Sequence, residues 1–201
     1  VKEAALVVDY VLAHKNYGDH WGRLIDRRME EDYELDGNTH LLCGIYLTWH
    51  GLGRTQDVGI RYLEGTREVF AWMERLMDEC PYGQLIPCIS ELAANPCDTV
   101  PVYAIYPNYG ARICFLAFAD MAAACGMAAL AGQYRRRAGE LEEAMKGCLI
   151  SKGIGRGTQT PEGLWMNGLR ADDGTVYEIA NFGARYTVHH WTRQAPYIQA
   201  Y

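Results

Sequence analysis

The sequence predicts an all-α chain of antiparallel helical hairpins, with one small β-hairpin carried in a long connecting loop. Three observations lead there. Apolar residues recur at helical spacing through long stretches of the chain. Helices with a single apolar face alternate with helices that are apolar nearly all round. Short and long connections alternate in step with them.

The first helix, about 1–15, puts Leu6, Tyr10 and Ala13 on one face and Lys2, Glu3 and Asp9 elsewhere. The second, about 37–50, is apolar on every side (Leu41, Leu42, Ile45, Tyr46, Leu47, Trp49), as a buried helix must be. The third, about 57–79, is amphipathic, with Ile60, Leu63, Phe70, Met73 and Met77 opposite Arg61, Glu64, Arg67, Glu68, Arg75 and Asp78. The fourth, about 109–126, is again apolar all round, and the fifth, about 128–150, is amphipathic. A sixth, from about 187, carries Val188, Trp191 and Tyr197 and is interrupted at Pro196. Amphipathic and buried helices in alternation describe an outer ring and an inner ring.

The links that follow a buried helix are short, "GLGRTQ" and little more than Gly126. The links that precede one are long: 16–35, about 80–107, and 151–186. Antiparallel neighbours put every second connection at the same end, so the long segments gather at the amino ends of the buried helices. Those helices begin near Asp36, Asn108 and Thr187, roughly 70–80 residues apart. Within the last long segment, two β-favouring runs flank "ADDGT", a hairpin signal.

At 201 residues and 49% hydrophobic, the chain can bury a sizeable core as a single domain, 1–201. A net charge of −6 provides no basic field for nucleic acid. The run Arg135, Arg136, Arg137 falls on the fifth helix and reads as a solvated face. No apolar run approaches the roughly 20 residues of a membrane span. Seven cysteines without ligand spacing argue against a zinc site and favour free thiols in a reducing, cytoplasmic setting over secretion. No metal or cofactor motif stands out; "SKGIGRGTQT" fits neither a P-loop nor a dinucleotide pattern. The ends, "VKEAALVVDYVLAH" and "WTRQAPYIQAY", read as mid-element starts and stops, as in a piece of something longer.

The buried helices and their lead-ins, "LDGNTHLLCGIYLTWHGLG" and "YPNYGARICFLAFADMAAACG", resemble the inner–outer hairpins of the six-hairpin (α/α)6-toroid glycosidases, the glucoamylase-like and α-L-rhamnosidase-like enzymes. The resemblance lies in architecture and covers most of the chain. Three hairpins make half a ring, so it implies a remainder from the same longer chain or a partner chain. It further implies an oligo- or polysaccharide substrate and catalytic carboxylates in rim loops or at inner-helix amino ends. Glu34, Asp36, Glu91, Asp98, Glu162 and Glu178 are concentrated there.

Glycoside hydrolysis needs one carboxylic acid to protonate the leaving oxygen and a second carboxylate as base or nucleophile. Glu91, among apolar neighbours in the middle long loop, is the first candidate for the acid. Asp36 stands where an N-cap belongs, followed by Asn38 and His40, and is the second catalytic candidate. Glu178, in the second strand of the hairpin, is the third. Sugar rings stack on aromatic faces and bond through polar edges, which nominates Tyr106, Tyr109, Trp165, His40 and His189 for substrate binding. Arg112 and Arg185 join them, in the echoing stretches "NYGARICF" and "NFGARYTVHH". Arg112, inside an apolar helix, requires a carboxylate partner or an anionic substrate. The same rim also suits a polysaccharide lyase, which abstracts a proton with Tyr or His and neutralises a uronate with Asn, His or Arg; Asn38, His40, Asn108, Tyr109, Arg112, Asn181, Arg185 and His189 form that set. A non-catalytic glycan-binding module is the third reading, and a sugar epimerase with paired histidines a more distant one.

Overall fold

The computed structural model describes residues 1–21, 35–80, 84–87, 103–150, 168–170 and 176–178. Five helices dominate: α1 (Lys2–Ala13), α2 (Leu35–Gly51), α3 (Gln56–Glu79), α4 (Ile105–Ala124) and α5 (Ala128–Ile150). The fold class is all-α. Three short strands, β1 (Tyr103–Ala104), β2 (Gly168–Arg170) and β3 (Val176–Glu178), form an antiparallel sheet in the order β1-β2-β3. The sixth expected helix, from 187, lies outside the described residues.

The helices stack in register. Thr39 meets Gly110, Cys43 meets Cys114, and Tyr46 donates to Asp120 at 2.9 Å, so α2 and α4 run parallel. Among the outer helices, Asp9 pairs with Arg61, Leu12 packs on Gly65, and Lys15 pairs with Glu68, which makes α1 and α3 parallel. Gln133 donates to Glu74, and Arg137 to Asp78 at 2.8 Å, so α5 follows α3 in the same direction. The hairpin partners α4 and α5 run antiparallel, with Arg112 against Glu142 and Phe115 against Tyr134. The parallel pair α2 and α4 packs against the parallel set α1, α3 and α5.

The core draws on all five helices, and an aromatic cluster fills it where α3, α4 and α5 converge. Phe70 contacts Phe115, Phe118 and Tyr134 at centroid distances of 5.1, 4.8 and 4.5 Å. These rings are almost wholly buried. Burial, together with the nearby charge of Glu74, pushes the Tyr134 phenol up, so it stays neutral in the fold. On α5 the buried positions Ala131, Tyr134, Ala138, Leu141 and Met145 fall at helical spacing, as an outer helix requires.

The turn between α2 and α3 demands close approach. A methyl at Gly59 would meet Cys125 Sγ and, at 2.9 Å, Trp49 Nε1. Trp49 is fully buried and its indole N–H donates to Thr55 O at 2.9 Å, so the ring has nowhere to retreat. Gly59→Ala is therefore expected to lower stability by about 1–3 kcal/mol, read as a fall in the denaturant midpoint. Gly132, on α5 with open space around its Cβ position, is the control. There the same change removes backbone entropy from the unfolded chain, and stability should hold or rise.

Several expectations change. Leu6 (71% exposed) and Tyr10 (64%) face outward, and α1 packs instead through Val8, Val11 and Leu12. Leu12 fits because Gly65 on α3 leaves room for it. The second helix is not enclosed on every side: Leu47 is 65% exposed, and Gly44 opens into an apolar groove of about 330 Å³ between α1 and α2. Arg135 and Arg136 are solvated, but Arg137 is drawn in to bind Glu74, Asp78 and Glu140. α4 begins at Ile105 rather than 109, taking Pro107 into its first turn, where a missing N–H costs nothing.

Candidate functional site

Both inner helices open at the same end, and each opening is tied by the same device. Asn38 is fully buried at the start of α2. Its Oδ1 accepts from the backbone N–H of Trp21 at 3.0 Å, and its Nδ2 donates back to Trp21 O. Asn108 does the same at the start of α4: Oδ1 accepts from Ile86 N–H at 2.7 Å and Nδ2 donates to Ile86 O at 2.9 Å. The amide offers a donor and an acceptor on separate atoms and so pairs with both groups of one residue's backbone, whereas an ionised carboxylate has no donor and a hydroxyl only one atom. These clasps hold the ends of two incoming segments against the helix starts.

Among the described residues, the candidate groups are placed as follows. Asp36 occupies the first turn of α2, not its N-cap, and is buried at 9% exposure. The Thr39 hydroxyl donates to Asp36 O at 2.9 Å. β1 leads directly into α4, and β3 lies two strands away, with Glu178 opposite Gly168. At ordinary strand spacing that sets the Glu178 backbone about 10 Å from β1. Tyr106 is the second residue of α4. Glu91, Trp165, Arg185 and His189 lie outside the described residues.

Arg112 has the carboxylate partner that its position demanded. Its Nε and Nη2 donate to Glu142 Oε2 on α5 at 3.1 and 2.7 Å, and its guanidinium sits 5.8 Å from the Tyr109 ring centre. Burial pushes the Tyr109 phenol up, the Arg112 charge pulls it down and Glu142 pushes it up again; the net direction is up. Glu142 also lines a hollow of about 650 Å³ with Gln84, Arg136, Glu140 and Glu143. Because Arg112 and Glu142 are 17% and 29% exposed at the side chain, the pair is only partly screened. Glu142→Leu should cost about 1–3 kcal/mol by stranding the guanidinium, and adding Arg112→Met should recover most of it. A denaturant double-mutant cycle measures both.

His40 lies near the start of α2. It is exposed and lines the groove beside α1, with Val7, Val11 and Leu41. A histidine outside the expected set, His20, adjacent to the clasped Trp21, is 6% exposed and stacked between Tyr17 (4.9 Å) and Trp72 (4.2 Å). Its Nδ1–H donates to Asp19 Oδ1 at 2.6 Å, a carboxylate–imidazole pair. The signal for it, Asp-His flanked by aromatics in "YGDHWG", is short and local. Among the described residues no cluster of His, Cys, Asp and Glu would hold a metal ion, and no helix is long and apolar enough to cross a membrane. Compared with protein-family models, with curated proteins and with solved structures, the chain matches none of them.

Proposed function

We propose that the chain is an arc of an (α/α)6 toroid and acts as a glycoside hydrolase, through two carboxylates in a cleft at the amino ends of the inner helices. The observation that carries this reading is the parallel packing of α2 and α4 with their clasped starts at one rim. Asp36 belongs to one of those starts, and the strand bearing Glu178 is hydrogen-bonded through β2 to the lead-in of the other. Glu91 follows the clasped Ile86 by five residues and serves as the acid. Asp36, Glu178 or a residue of the remaining ring serves as base or nucleophile. The β2–β3 hairpin roofs the cleft, and Tyr106, Tyr109, Trp165, Arg185 and His189 contact the oligo- or polysaccharide. The rest of the toroid, from the same longer chain or a partner chain, covers the open α1/α2 edge.

The lyase reading ranks second because two of its candidate groups are otherwise engaged. Arg112 is held by Glu142, and Tyr109 keeps its proton more firmly than a free phenol. Release of reducing sugar from a panel of glycosides and polysaccharides tests the proposal. Glu91→Gln and Asp36→Asn are expected to lower kcat by about 10²–10⁴. Unchanged turnover in Glu91→Gln removes that residue from the mechanism. A product absorbing in the near ultraviolet replaces hydrolysis with elimination, and saturable binding without turnover replaces catalysis with recognition.

A further inference from the structure

The inner helices α2 and α4 touch through small side chains. A methyl at Gly110 would stand 3.0 Å from Thr39 Oγ1, so the glycine sets how closely the two backbones approach. One turn further along, Cys43 and Cys114 face each other with Sγ atoms 3.7 Å apart. Both are reduced cysteines; Cys114 is fully buried and directs its S–H toward Thr39 O at 3.3 Å, whereas Cys43 is only half-buried. A disulfide needs about 2.05 Å between sulfurs, a closure that side-chain rotation and a small helix shift can supply.

We propose that Cys43 and Cys114 are a redox pair, closed by hydrogen peroxide into a reversible disulfide that pins α2 and α4 together. The unequal exposure sets the order of events. The Cys43 thiolate, which the oxidant can reach, attacks a peroxide oxygen; the O–O bond breaks and the departing hydroxide leaves as water with the thiol's proton. Cys43 is then a sulfenic acid. The Cys114 sulfur attacks that sulfur, the S–S bond forms and the S–O bond breaks, and the Cys114 proton leaves with the hydroxide as a second water. Two thiols lose two electrons in total, and the peroxide is reduced to two waters. Burial pushes the Cys114 thiol well up and keeps it protonated until its neighbour is activated, which assigns it the resolving role. The proposal concerns the inner-helix pair and stands apart from the glycosidase reading.

The test treats the full chain with equimolar hydrogen peroxide, quenches in acid, alkylates the remaining thiols under denaturing conditions and digests without reductant. The expected product is a linked pair of peptides carrying Cys43 and Cys114, two hydrogens lighter than their sum and separated by dithiothreitol. The oxidised chain should melt higher by about 5 °C or more, because the bridge closes a long loop of the unfolded chain. In Cys43→Ser, Cys114 should be recovered fully alkylated. Recovery of both wild-type thiols as alkylated peptides, or of Cys43 as a sulfinic acid beside a free Cys114, overturns the proposal. So does oxidation of Cys114 in Cys43→Ser at the wild-type rate. The wild-type peptide map decides the matter even where the variant folds poorly.

Discussion

Asn108→Asp is expected to lower stability by about 3–5 kcal/mol, although the two side chains have the same shape. The new oxygen takes the place of the Nδ2 group that donates to Ile86 O at 2.9 Å, so two acceptors face each other. The site is fully buried, so an ionised carboxylate there also forfeits its hydration. Only the bond from Ile86 N–H survives. Asn38→Asp should behave in the same way through Trp21. Denaturant unfolding measures both; a loss below about 1 kcal/mol at either position would show that the clasp does not hold the junction. The aspartate variant should also regain stability as pH falls and its carboxyl takes up a proton, since the protonated form can donate again.

Phe70→Ala is expected to cost about 3–5 kcal/mol, a large part of a domain's usual margin. The ring is 1% exposed and contacts aromatic side chains from both α4 and α5, so its removal opens a void that three helices line. Phe70→Leu, which refills most of the volume, should lose about half as much or less. Equal losses in the two variants would mean that the site collapses around the cavity. The measurement is the denaturant midpoint at unchanged slope.

The helices were legible because period and length are local properties. The amphipathic stretches expected at 57–79 and 128–150 correspond to α3 and α5 within a residue. Which face turns inward was less legible. On α1 the stripe through Leu6 and Tyr10 is as apolar as the one through Val8 and Leu12, and Gly65, more than fifty residues along, selects the second. Arg137 shows the same limit: its neighbours Arg135 and Arg136 are solvated, while Asp78 and Glu74 on another helix capture it. At the rim, the need of Arg112 for a carboxylate could be read from its apolar surroundings, but its partner, Glu142, stands thirty residues away. By residue type and position, Asn38 and Asn108 read as possible substrate groups. Their structural task depends on main-chain atoms 17 and 22 residues upstream, which leave no mark on the local pattern. Asp19–His20 was overlooked because neither residue carries a periodic or spacing signal.

The asparagine ties have an evolutionary implication. They grip peptide groups and ignore the side chain of the residue they hold, so what lies between two such anchor points is free to be rewritten. A lineage built on this frame can vary the stretches between the tied residues while the helix starts stay in place.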